Sequence, residues 1–262
     1  MRPDWKAVCP VLAAVLLSAC QAPAPRQPAE SQADPAPSQT ENLETEYRAL
    51  AAGGGAVYTV NPADSKVLIY IFRGGLAAKS GHNHVIRAAS FEGYVHLPSD
   101  DPTQARFDLR VPVDDLVVDE PVLRTETGGN FSGERSQSDI DGTRRNMLGE
   151  RGLNTAQFPF VSLKSLAVAG DWPILVADVA VSLHGVTRQQ PVMLRVQRGN
   201  GALKVSGTLV LRQSDYGITP YSLFGGVIAV QDAVAIEFEL VARTPADASL
   251  SGAGSHRLVL SP

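Results

Sequence analysis

Cysteine is nearly absent. Of 262 residues only Cys9 and Cys20 carry a thiol, and both lie in the first twenty. The rest of the chain therefore has no disulfide framework and no structural zinc site built on thiolates. A basic surplus is missing too. Lys and Arg number 23 against 27 Asp and Glu, a formal net charge of −4, which argues against a nucleic-acid binder. His-Glu-x-x-His, Gly-x-Ser-x-Gly and a phosphate-binding loop are all lacking. No assembled nucleophile, base and orienter is visible, so the chain reads as a non-enzyme that needs no cofactor.

What stands at the N-terminus is an address. Arg2 and Lys6 make a short basic start, and an apolar run follows over 7–17. That run is shorter than the roughly 20 residues of a membrane-spanning helix and has the length of a secretory signal core. It ends in Leu17-Ser18-Ala19-Cys20, which resembles a bacterial lipobox. The resemblance implies removal of 1–19 and acylation of Cys20, such as with palmitate. An ordinary cleaved signal with an incidental Cys20 is the alternative. Gln21 instead of Asp after the cysteine implies, by likeness to lipoprotein sorting, an outer-membrane location facing the periplasm. Residues 20–55 read as a disordered tether, rich in Pro, Ala, Gln and Ser over 21–41. Within it Leu43, Tyr47 and Leu50 fall at helical spacing until Gly53-Gly54-Gly55 stops them, which predicts one short helix.

From 56 to 244 the grammar is strand and turn. Candidate strands cover 58–60, 66–72, 86–97, 105–113, 160–168, 175–183, 190–197, 203–211 and 227–241. Phe107, Leu109, Val111 and Val113 share one face of a strand. Leu203, Val205, Leu209 and Leu211 share another, with Lys204, Ser206, Thr208 and Arg212 opposite. Such alternation without intervening helices predicts an all-β fold: a closed antiparallel barrel of about eight strands. Residues 66–73 are apolar on both faces, so the outward face needs a cover: a helix, a returning loop or the second subunit of a homodimer. The stretch 120–135 reads as a long loop. Over 136–149 a helix is expected to start at Ser138, with Asp141 three later, and to stop at Gly149. The tail 245–262 reads as flexible.

Gly81-His82-Asn83-His84 is the most conspicuous polar run. In an extended segment His82 and His84 point to one side and could reach one metal, haem or ligand headgroup, with His96 or His184 as a third contact. A polar turn bonded to backbone and water is the plain alternative. The letters His-Asn-His do not make the longer ββ-helix metal motif of HNH nucleases. Asp139-Ile140-Asp141-Gly142 does not make a calcium loop, because Gln137 and Leu148 occupy its first and last positions. Asp100-Asp101 and Asp114-Asp115 read as turn residues.

The order of motifs resembles the YceI-like family of bacterial exported proteins. Tyr58-Thr59-Val60 with Asp64-Ser65-Lys66-Val67 is similar to that family's opening strand, and Phe91-Glu92-Gly93 to its F-x-G strand. Phe158-Pro159-Phe160-Val161 resembles its proline-led strand after the helical insertion. Leu183-His184-Gly185-Val186-Thr187-Arg188 resembles its most specific hairpin, and Arg212-Gln213-Ser214-Asp215-Tyr216-Gly217-Ile218 its R-x-x-D-(F/Y)-G-I segment. Many members carry R-D-x-H-L at the insertion helix. Here the histidine is missing, which marks a divergent branch. The resemblance implies a lipocalin-like barrel holding a long isoprenoid lipid, a polyprenyl or a quinone. Its candidate polar contacts are His82, His84, Arg212, Asp215 and Tyr216. A structural or interaction module with a filled barrel is the other reading that these residues leave open.

Overall fold

The computed structural model describes residues 42–245. The signal 1–19, Cys20, residues 21–41 and the tail from 246 lie outside the described residues. The described part is dominated by strands. A first helix, α1 (Leu43–Ala52), precedes β1 (Ala56–Val60) and β2 (Lys66–Gly74). Then come β3 (His84–Ala88), β4 (Glu92–Leu97), β5 (Arg106–Pro112) and β6 (Leu116–Val118). An insertion carrying α2 (Pro121–Thr127) and α3 (Gln137–Leu148) follows. Next are β7 (Phe160–Asp171), β8 (Ile174–Leu183), β9 (Val186–Gly199) and β10 (Ala202–Arg212). The chain then forms the two-residue β11 (Ser222–Leu223) and ends in β12 (Ile228–Arg243).

Register shows that the short strands are halves of longer ones. β12 pairs with β1 at Val60↔Ala242 and with β2 at Lys66↔Glu239, so β1 and β2 are one bent ribbon. β3 pairs with β2 while β4 pairs with β1. β6 pairs with β3 while β5 pairs with β4. Eight antiparallel ribbons result: β1/β2, β3/β4, β5/β6, β7, β8, β9, β10 and β12. The pairing of the first with the last closes the barrel. The ribbons pack closely at Gly93, where a Cβ would stand 2.7 Å from Leu109 Cδ1 and 2.9 Å from Val60 Cγ2. The F-x-G motif is thus a packing device: Phe91 enters the core and Gly93 lets two ribbons approach.

The two ends of the barrel differ. One carries the tight β7–β8 and β9–β10 turns and is filled by Trp172. The indole Nε1 donates to the Asp100 carbonyl at 3.0 Å, and the Arg198 guanidinium lies 4.6 Å from its ring centroid. The other end carries the three longest connections, 75–83, 119–159 and 213–227, with the two-residue turn His184-Gly185 between them. That turn has φ of 53° and 76°, the double positive φ of a tight hairpin, which accounts for the glycine of the hairpin motif.

Two outward apolar patches, on β4/β5 and on β2, are covered within the chain, whereas Leu166, Val176, Met193 and Val210 on β7 to β10 stay exposed. α1 lies on β4 and β5: Tyr47 is fully buried, stacks on Tyr94 at 5.2 Å and donates to Asp108 Oδ2 at 2.7 Å. α1 is therefore packed into the folded unit, at the position within 20–55 where one short helix is expected. The outer side of β2 is covered by the insertion, as Leu68 and Val85 pack on Leu123 of α2 with Tyr70 and Phe131 alongside. The cover that 66–73 requires is thus a helix and a returning loop.

Two details of the insertion correct the sequence reading. The stretch 120–135 contains α2, and Pro121 at its first turn was the signal for it. α3 starts two residues earlier than expected, because Ser136, not Ser138, accepts from the Asp139 amide at 3.2 Å.

Candidate functional site

Inward positions of all eight ribbons surround one elongated cavity of about 1190 Å³. That exceeds the roughly 300–1,000 Å³ of ordinary small-molecule pockets. Its wall is almost wholly aliphatic and aromatic, with Ile69, Phe107, Leu163, Val205, Ile236 and Phe238 around the middle. These six side chains point inward yet are only half-buried, because they face empty space. A solid centre would bury them completely, so the interior is hollow and not filled by side chains. At its closed end Trp172, Val168 and Leu203 line the floor.

The open end is more polar. Thr143, Arg145 and Asn146 of α3, Glu150 and Arg151 after it, His184, Gln213 and residues 217–223 line the mouth. α3 stands where the wall is incomplete. Ribbon β5/β6 last touches the β7 side at the Val113 amide and the Pro159 carbonyl, 2.9 Å apart. Beyond that point the edge of β6 is taken by Arg144, whose guanidinium donates to the carbonyls of Leu116 at 2.5 Å and Asp114 at 2.6 Å.

Of the residues singled out from sequence, His84 lines the cavity. It opens β3 on the same face as Ile86 and Ala88. Its Nδ1 lies 2.6 Å from Asp119 Oδ2. Asp119 also accepts from the Val85 amide at 3.1 Å and from Arg124 Nη1 at 2.6 Å. Arg124 donates further to the carbonyls of Asn83 at 3.1 Å and Gly133 at 3.0 Å. Asp119 and Arg124 are only 1% and 2% exposed. Burial alone would raise the Asp119 pKa. Hydrogen bonds and charge from His84, then Arg124 and the Val85 amide, hold it below the usual carboxylate range instead. An ionised Asp119 accepts only, so Nδ1 of His84 donates and Nε2 is left for the cavity.

The other candidates sit apart from His84. His82 lies on the surface before β3, where loss of water and then the positive charge of Arg135 hold its pKa below the usual histidine range. Arg212 points out of the barrel, 3.9 Å from Asp232. Asp215 is exposed, and its carbonyl accepts from Arg188 Nε at 3.0 Å. Tyr216 is buried with Ile218 in the core, and burial, with Asp215 next, pushes its phenol up to about 12. His96 faces outward under α1, 2.9 Å from the Gly54 carbonyl. His184 is at the mouth, its Nδ1 3.1 Å from the Tyr216 carbonyl. Among the described residues no group of three or more His, Cys, Asp or Glu gathers to hold a metal. Asp119 and Arg124 were not singled out from sequence, and neither were the polar residues on and after α3.

The likeness seen in the motifs extends to whole-domain comparisons. The sequence profile of the YceI-like domain matches residues 58–242, well over half of the chain. No curated protein matches the sequence. Among solved structures, BcnA of Burkholderia cenocepacia superposes with a TM-score of 0.53 at 15% identity, over 70% of this chain and 98% of its own. A polyisoprenoid binding domain from Saccharophagus degradans, implicated in plant cell wall breakdown, gives 0.48 at 14% identity, over 72% and 99%. The YceI protein of Campylobacter jejuni gives 0.44 at 10% identity, over 61% and 84%. At such identities the structural likeness is one of fold. The profile match runs from β1 to β12 and takes in the whole barrel, and this chain belongs to the YceI-like family.

Proposed function

We propose that the protein is an exported, lipid-anchored, non-enzymatic carrier that holds one long isoprenoid-type lipid, a polyprenyl or a quinone, in its barrel. The observation that carries this reading is the hollow: one continuous apolar cavity, floored by Trp172 and opening through a polar mouth. Burying an apolar chain gains about 25 cal/mol per Å². A tail that fills the cavity therefore gains several kcal/mol before the costs of association are set against it. The polar end of the lipid belongs at the open end. There His84, fixed from behind by Asp119, offers Nε2 to a hydroxyl, a quinone oxygen or a phosphate. Extraction of the protein from its native membrane with organic solvent, followed by mass spectrometry, tests the cargo. A stoichiometric isoprenoid lipid supports the reading, and repeated recovery of none removes it.

The anchor in this proposal is Cys20, and the location is the outer membrane facing the periplasm. Labelled palmitate should enter the wild-type protein and not Cys20→Ser, and the variant should leave the membrane pellet. Label in the variant would place the acyl group elsewhere.

A further inference from the structure

Among the described residues, five of the eleven exposed large apolar side chains, the two most exposed included, lie at the open end of the barrel. Leu76 is 94% exposed and Phe224 is 78% exposed, and Tyr221, Leu223 and Val227 are exposed as well. Although far apart in sequence, they form one tip. The Ala77 amide donates to the Val227 carbonyl at 2.8 Å. Gly75, at φ 84°, lies so close that a Cβ there would stand 2.5 Å from the Gly226 carbonyl oxygen. Phe224 itself has φ 50°, followed by Gly225 at 65° and Gly226 at 91°. A left-handed conformation is unfavourable for a bulky aromatic. The chain adopts it here in a turn that holds the ring away from the barrel.

We infer that this tip, led by Leu76 and Phe224, docks the mouth of the barrel onto a lipid bilayer. Three observations select a membrane over another protein. First, the tip is continuous with the cavity: Tyr221 and Leu223 line the mouth and sit on the same turn as Phe224. A lipid chain leaving a bilayer beneath the tip would pass from acyl chains to cavity wall without crossing water. Second, the patch is small. Even a fully buried aromatic covers only about 150–250 Å², so five part-exposed side chains fall short of the ~800 Å² that a stable protein interface takes from each partner. Third, the charge fits. Across 74–79 and 219–230 there is no carboxylate, and the single charged side chain is Lys79, which suits anionic headgroups. The inference deepens the lipid-holding reading by naming the surface with which the mouth exchanges.

The test uses the full-length protein and vesicles of phosphatidylethanolamine and phosphatidylglycerol free of isoprenoid, with plain or brominated acyl chains. Phe224→Trp places an indole at the tip at little structural cost, since the side chain is exposed. The emission of Trp172 in the wild type, which keeps no Trp5 once 1–19 is removed, sets the background. The added indole should shift to shorter wavelength on the vesicles and be quenched by the brominated chains, and a second change, Leu76→Ser, should diminish both effects. Emission that stays water-like and unquenched on vesicles would overturn the inference. So would shielding from iodide without vesicles that grows with protein concentration, which would assign the tip to a second copy of the chain. Because these vesicles contain no cargo, the result is independent of extraction. Isoprenoid in the extract with an unquenched indole leaves the carrier reading and removes the docking. A quenched indole with no isoprenoid does the reverse.

Discussion

Asp119 and Arg124 form an ion pair at 2.6 Å that is almost completely shut off from water, five residues apart at the base of the insertion. The same carboxylate holds His84 on its other oxygen. Removing the charge of one partner strands the other, which for a buried pair costs about 3–5 kcal/mol. Asp119→Asn is the informative change, because Asn tolerates the positive φ of 55° at this site. The variant should lose about that much stability in urea unfolding.

The pH dependence follows with a definite sign. The folded-state pKa of Asp119 lies below its unfolded value. Its contribution to stability is therefore complete above the ordinary carboxylate range, near 3.9, and is lost as pH falls through the depressed folded value. Between neutral pH and pH ~4 the difference between wild type and Asp119→Asn should be constant. Below that range the two should converge. A gap that persists undiminished in acid would mean that the carboxylate charge is not what stabilises this corner.

His84 is expected to discriminate headgroups and not chains. His84→Phe keeps the ring volume and removes both nitrogens. One charge-assisted hydrogen bond is worth about 1.5–3 kcal/mol, so affinity for a polyprenyl phosphate should fall roughly 10- to 100-fold. A hydrocarbon of similar length, having no headgroup, should bind as before. The comparison is a competition between the two in detergent micelles. Equal losses for both would assign His84 to the wall alone.

Much of this could be read from sequence, for reasons that single residues make plain. The alternation of Leu203, Val205, Leu209 and Leu211 places a face on a strand because period two is a local property. That pattern also put Arg212 on the opposite face, where it stands exposed beside Asp232. Its motif context suggested a ligand contact, whereas Tyr216 and Ile218 in the same motif are buried in the core. The His84–Asp119 contact was not legible, since it joins positions 35 apart across a strand pair and a turn. Neither hydrophobic periodicity nor a known spacing encodes such a contact. The tip was hidden for a different reason. Leu76 and Phe224 each stand next to a glycine in separate connections, and only the register of β2 with β12 brings them together.

Filling the hollow should remove binding and leave the fold. Leu163 points inward from β7 and is only half-buried because it faces the cavity. Leu163→Trp adds bulk where there is room, so the 1–3 kcal/mol typical of overpacking is an upper bound. Far-ultraviolet circular dichroism should be unchanged, while uptake of a fluorescent polyprenol is largely lost. Undiminished uptake would place the lipid outside the barrel.

Arg144 governs how the cavity is reached. α3 buries none of its residues completely, although Ile140, Met147 and Leu148 pack partly against the core. Its firmest tie to the barrel is the pair of hydrogen bonds from Arg144 to the carbonyls at 114 and 116, along the edge of β6 opposite β3. Hydrogen bonds from a charged donor contribute about 1.5–3 kcal/mol each at most. Arg144→Ala should therefore release α3 locally without unfolding strands that pair on both sides. Amide exchange should accelerate over 137–148 and stay slow in β8, β9 and β10. Thr143 and Met147 line the cavity beside this arginine, so the same change should speed both uptake and release of a polyprenol while leaving its equilibrium affinity nearly constant. Faster exchange of amides without faster exchange of lipid would mean that cargo enters past the 217–223 turn and not along α3.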